Sequence, residues 1–175
     1  MTEASSPGSS PVSAVCDAGP LIHLDQLGCL DLLGGFAGVA IPEAVWHEVA
    51  RNRATALAAP FLRRATTLPL SDPQAAALCV AFSLDAGETE CLALLASDAR
   101  ALFLTDDAAA RLVAERLGYS VHGTIGVLTR SIRTGSRTAT QVLQLLDELP
   151  TKSTLFIRRS LLAEVIDTVR RSTRR

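Results

Sequence analysis

Six carboxylates in four separate segments are the residues of this sequence best suited to chemistry. Asp17 directly follows a short apolar run at residues 12–16. Asp106 and Asp107 directly follow another at residues 101–104. Glu48 lies about two turns into a helix opening near Pro42, and Glu88 and Glu90 lie in the first turn of an Ala/Leu-rich helix after Gly87. Carboxylates gathered at one place repel one another unless cations neutralise them. Oxygen ligands of this kind suit Mg²⁺ or Mn²⁺. Such ions can align a water, lower its pKa and hold the leaving oxygen of a phosphate, so the chemistry expected is phosphodiester hydrolysis. Each acid also has an ordinary reading. Asp17 could be a turn residue or helix N-cap, one of Asp106 and Asp107 an N-cap, Glu88 and Glu90 first-turn acids, and Glu48 a solvated side chain.

What must position these residues is an alternation of short apolar strands and amphipathic helices. Strands are expected at residues 12–16, 38–41, 101–104 and 119–122, with a further candidate at 65–70. Between them, residues 17–20 read as a turn and residues 21–33 as a helix. Further helices are expected from Pro42 with Val45, Trp46 and Val49 inward, at 73–83, at 88–97, from Asp107 to Leu117 with Gly118 closing it, and at 123–133. Two more, near 139–148 and 160–172, finish the chain. Strands alternating with helices predict an α/β fold: a three-layer α/β/α domain around a parallel sheet of four or five strands. In such sheets ligands sit beyond the carboxyl ends of the strands, which is where the acids fall.

At 175 residues and 48% hydrophobic, the chain has material for one domain with a packed core. No apolar run is long enough to span a bilayer. Residues 1–11 have neither a basic start nor an apolar stretch, so no secretory signal is expected there, only a disordered tail. The four cysteines, at 16, 29, 79 and 91, form no short-spaced pair, and His23, His47 and His122 form none either. That argues against zinc and for buried free thiols in a reducing, cytoplasmic setting. The net charge of −1 does not mark the whole chain as a polyanion binder. Arg158, Arg159, Arg170, Arg171, Arg174 and Arg175 crowd one end, where they could touch phosphates or simply stand in for lysine.

Five segments, taken in order, resemble the PIN-domain family of nucleases. They are Val15-Cys-Asp-Ala-Gly-Pro-Leu-Ile22, Ile41-Pro-Glu-Ala-Val-Trp-His-Glu48, Leu84-Asp-Ala-Gly-Glu-Thr-Glu-Cys-Leu-Ala-Leu94, Leu104-Thr-Asp-Asp107 with Arg111, and residues 118–128. The resemblance is greatest to the branch with a Gly-Glu-x-Glu segment and a helical C-terminal extension, similar to the toxins of toxin–antitoxin pairs. It implies a PIN-like domain over residues 12–135 and a helical extension over 136–175 packed on it. It implies a Mg²⁺- or Mn²⁺-dependent endoribonuclease with Asp17, Glu48, Glu90 and Asp107 as catalytic acids. Of these, Asp17, Glu90 and Asp107 would ligate metal, with Glu88 a close rival to Glu90 and Asp106 beside Asp107. Arg111 would contact a phosphate or pair with Asp107, and Thr124 would meet a phosphate or cap its helix. RNA as substrate, an antitoxin protein as partner and a homodimer are further implications. One departure is Gly19, where many members carry Ser or Thr that orients the first aspartate.

Other readings fail on single residues. A haloacid-dehalogenase phosphatase needs a second aspartate at position 19, which is glycine. A receiver domain needs a lysine after its last strand, and Lys152 comes too late. No P-loop or Gly-rich dinucleotide turn is present. The alternative that stays open is a catalytically silent PIN-like module that binds RNA or protein.

Overall fold

The computed structural model describes residues 12–172; the tail expected at 1–11, with Arg174 and Arg175, lies outside them. Five parallel strands form one sheet in the order β3-β2-β1-β4-β5. They are β1 (Ala14–Cys16), β2 (Val39–Pro42), β3 (Leu62–Ala65), β4 (Leu102–Leu104) and β5 (Val121–His122). Helices cover both faces, which is why β1 and β4 are buried along their whole length. The expected three-layer α/β/α fold is the one observed, with five strands.

The chain enters at the centre of the sheet, builds outward through β2 and β3, then returns to the other side of β1 for β4 and β5. Val15 pairs with Ala40 on one side and Phe103 on the other. The order therefore reverses between β1 and β4. At such a point the connections leave in opposite directions and open a crevice beyond the carboxyl ends.

The helices are α1 (Ala18–Gln26), α2 (Glu43–Arg53), α3 (Pro73–Ala81), α4 (Ala86–Ser97), α5 (Ala108–Arg116), α6 (Thr124–Arg133), α7 (Ala139–Lys152) and α8 (Arg159–Ser172). α1 packs against α2 and α6, α4 against β1, β2 and α2, α7 on α6, and α8 on α7. Val142, Leu146 and Leu149 of α7 and Leu162 and Val169 of α8 join the same buried cluster as the sheet.

Four local expectations are corrected. Residues 17–20 are not a separate turn: α1 starts at Ala18, because Pro20 in a first turn has no N–H to lose. The single helix expected at 21–33 is α1 followed by a 3-10 turn over Leu30–Gly35. Gly28, at φ +69°, breaks the two apart. The strand expected at 65–70 is β3, three residues earlier. As an edge strand it buries Leu62 and exposes Arg63 and Arg64, so it carries no apolar run to find. Pro42 ends β2 and is the N-cap of α2, one residue before the first helical position.

The four cysteines are free and buried. Among the described residues no helix is long and apolar enough to cross a membrane.

Candidate active site

Asp17 is set at the mouth of the crevice by the ladder itself. Its N–H donates to the Leu104 carbonyl at 2.9 Å, tying the end of β1 to the end of β4. It is the N-cap residue of α1, but its side chain makes no cap bond there. Instead Oδ2 accepts from Thr105 Oγ1 at 3.1 Å. Thr105 is fully buried, and its Oγ1 also accepts the Asp107 N–H at 3.1 Å. One hydroxyl thus spaces the acid of β1 from the acid after β4, and it supplies the orienting contact that Gly19 cannot. Burial pushes the Asp17 carboxyl up to about 6, with the Asp85 and Glu48 charges adding to it against bonds from the Ala18 backbone and Thr105.

The two adjacent aspartates after β4 do different things. Asp107 is the N-cap of α5, accepting from the Ala109 and Ala110 N–H groups through Oδ1, both at 2.8 Å. Asp106 points into the protein. It accepts from the Thr124 N–H at 2.7 Å, Thr124 Oγ1 at 2.6 Å and His23 Nδ1 at 2.8 Å, a ring nitrogen that must carry the proton to bond a carboxylate. Burial raises the Asp106 carboxyl, but these donors outweigh it and hold the group below its ordinary value. Asp106 therefore clips α1, β4 and α6 together.

Thr124, expected to meet a phosphate or to cap its helix, is not the N-cap, which is Gly123. Thr124 is the first residue of α6, fully buried, with both donors given to Asp106. The Asp106 carboxylate itself occupies the anion position at that helix N-terminus. Gly123 makes room for it: a Cβ there would lie 2.5 Å from Asp106 Oδ1.

The α4 end of the site is built on a reciprocal cap. Asp85 Oδ1 accepts the Glu88 N–H at 2.8 Å and Glu88 Oε2 accepts the Asp85 N–H at 2.9 Å. Gly87 lets this turn approach α2 and β1, since a Cβ there would lie 3.0 Å from Val45 Cγ2 and 3.8 Å from Asp17 Oδ1. Burial pushes the Glu88 carboxyl up to about 7, with the charges of Asp85, Asp107 and Asp17 adding to it. Glu48, on α2, is likewise raised by burial and by Asp85, with Arg51 opposing. Asp85 is thus the acid that sequence reasoning missed. Its signal was present, since an Asp three residues before a Glu at a helix start is a capping pattern.

Glu90, further along α4, meets the start of α2. Its Oε2 accepts the Ala44 N–H at 2.8 Å, at the start of α2, where Pro42 offers no side-chain cap. The charges of Asp17, Glu48, Asp85 and Asp107 thus act on one or more of the raised Asp17, Glu48 and Glu88 carboxyls, while Glu90 and Asp106 each accept bonds from other elements. Among the described residues no three of these side chains close on a single point at ligating distance.

Arg111 does not pair with Asp107. Its guanidinium reaches the Thr105 and Val121 carbonyls at 3.3 and 3.4 Å and lies 3.6 Å from Glu115, one turn further along α5. Residues four apart on a helix meet, whereas an N-cap carboxylate is turned toward the helix start.

The carboxylates stand at the switch point of a parallel sheet whose core also takes in the helical tail. No curated protein matches this chain significantly. A family model described as a PIN domain matches residues 13–171, through α7 and nearly all of α8. PIN domains are generally nucleases and typically use divalent metals. This chain belongs to the PIN-domain family.

Proposed function

We propose that this protein is a divalent-metal-dependent endoribonuclease that hydrolyses RNA phosphodiesters in the crevice between the ends of β1 and β4. The observation that carries the proposal is the gathering of acids there, with the charges of Asp17, Glu48, Asp85 and Asp107 adding to burial in raising the Asp17, Glu48 and Glu88 carboxyls. The donor set fits Mg²⁺ or Mn²⁺, since it is all carboxylate oxygen with neither thiolate nor imidazole in it. Asp17, Glu88 and Asp107 are the residues we assign as ligands, with Glu48 completing the site. A bound cation would supply the positive charge that offsets these carboxylates and an incoming phosphate. The chain's own part is to hold the acids apart and oriented. Thr105 fixes Asp17, the N-terminus of α5 fixes Asp107, and the Asp85 cap fixes Glu88.

Glu88 rather than Glu90 is assigned as the third acid because the charges of Asp17 and Asp107 act on Glu88, whereas a Glu90 oxygen is taken by the Ala44 N–H. Glu88→Gln keeps an oxygen for the reciprocal cap and removes only the charge. It is expected to lower cleavage at least about 10²-fold, the upper end of what an outer-shell partner of a metal site costs. Glu90→Ala is expected to cost about 1 kcal/mol of stability, as for other helix caps, and to leave cleavage within severalfold. The reverse pattern in rates and melting temperatures would return the role to Glu90.

Acid should inactivate the enzyme. Asp17 and Glu88 must be ionised to attract a cation, and burial raises them to about 6 and about 7. Cleavage is therefore expected to fall as pH drops from 8 to 5. More Mn²⁺ should move the midpoint toward acid, because cation and protons compete for the same oxygens. A rate profile flat down to pH 5 would count against a shared metal site.

The direct test is cleavage of a pooled RNA by purified protein in Mn²⁺, with EDTA and Asp17→Asn controls. Cleavage by the wild-type protein with metal alone supports the reading, and cleavage surviving both controls rejects it. The proposal extends, on the resemblance to toxin nucleases, to an antitoxin protein as partner and a homodimer as the working form.

A further inference from the structure

A groove of about 390 Å³ opens beside the acidic crevice, between the edge strand β5 with the start of α6 and the extended segment that leads into α8. Its walls include Arg111, His122, Gly126, Phe156 and Leu161. Phe156 is 90% exposed, a cost in unburied apolar surface that nothing in the fold requires. Gly126 lets α6 approach His122 closely there: a Cβ would lie 2.9 Å from that of His122. His122 Nδ1 donates to the Val121 carbonyl at 2.8 Å.

The groove and the crevice share a wall. Asp106 and Arg111 line the groove, and Arg111 donates to the carbonyl of Thr105, whose hydroxyl holds Asp17. A polynucleotide with its scissile phosphate at the acids therefore has its neighbouring nucleotide at this groove.

We propose that the groove is a nucleobase subsite. The base next to the scissile phosphate stacks on Phe156, while Arg111 takes charge from the adjoining backbone. An exposed aromatic beside an arginine is the combination that holds unpaired bases, since every base has a face to stack and every linkage a negative charge. A paired base is already stacked within its duplex and cannot enter, so the subsite selects single strands and loops. The inference rests on the nuclease reading only for where the scissile phosphate lies.

The test is binding of short fluorescent RNAs to the full chain in EDTA, where no cleavage intervenes. The strands are an intact single strand, the same strand with three central abasic nucleotides, and a duplex. Phe156→Ala should weaken the intact strand about 10- to 100-fold, and Phe156→Trp should restore it. The abasic strand and the duplex should not respond to either change. Phe156 is so exposed that its replacement leaves the core intact. If wild-type protein binds intact and abasic strands equally, or binds neither, the subsite is overturned and the groove belongs to an apolar side chain of a protein partner. Cleavage in Mn²⁺ is scored separately on wild-type protein, so failure of the nuclease reading and failure of the subsite are distinguishable.

Discussion

Asp17→Asn is expected to make the metal-free protein more stable while removing its metal-dependent cleavage. Asp17 is held mostly out of water, and its folded pKa of about 6 lies above the ordinary value of 3.8. For an acid, a raised pKa means that the fold opposes the ionised form. The penalty is absent below pH 3.8, grows as pH rises through the window to about 6, and is complete above it. At 1.36 kcal/mol per pKa unit that is roughly 3 kcal/mol at neutral pH, an upper bound on what the neutral amide recovers. The Thr105 hydroxyl can still donate to the amide oxygen, so the local geometry survives. Cleavage should fall on the order of 10³-fold or more, as when other central catalytic groups are removed. Two thermal melts separate this account from its rivals. Without metal the variant should melt above the wild type at pH 8 and level with it near pH 4. With Mn²⁺ the wild type should gain and the variant should not, because a ligand stabilises only the state that binds it. A variant less stable than wild type at pH 8 would mean that Asp17 serves the fold.

The neighbouring pair Asp106 and Asp107 should give opposite results. Asp106→Ala strips the partner from three donors on two helices, leaving a buried hydroxyl, a backbone N–H and the His23 ring unsatisfied. Removing one side of such a buried cluster costs about 3–5 kcal/mol, which for a chain of this size lowers Tm on the order of 10 °C. Asp107→Ala removes a helix cap, worth about 1 kcal/mol, yet it takes an acid out of the crevice and should abolish cleavage. Stability is thus expected to be lost at position 106 and activity, with little stability, at 107. Circular-dichroism melts and an RNA cleavage assay on the two variants decide it. An Asp106→Ala protein that melts like wild type would remove the clip from the account.

What the sequence determined by itself is the part of this protein that depends on local order. Strand residues buried on both faces must be apolar, so β1, β2 and β4 announce themselves as short apolar runs, and parallel strands need helices between them. The acids that follow β1 and β4 were legible for the same reason: whatever comes next after a parallel strand arrives at the carboxyl end of the sheet. β3 was misplaced because an edge strand buries one face only, and Arg63 and Arg64 break its pattern.

Tertiary structure decided the roles within each acidic pair. Asp106 and Asp107 are equivalent by type and differ by one position in the chain. His23 and Thr124, far from both in sequence, draw the first inward, while α5 holds the second at the rim. Glu88 and Glu90 divide in the same way, because the start of α2 lacks a cap of its own and takes one from α4. Local sequence sets where the chain turns, whereas the direction of a polar side chain is set by which partners long-range packing brings within hydrogen-bond reach.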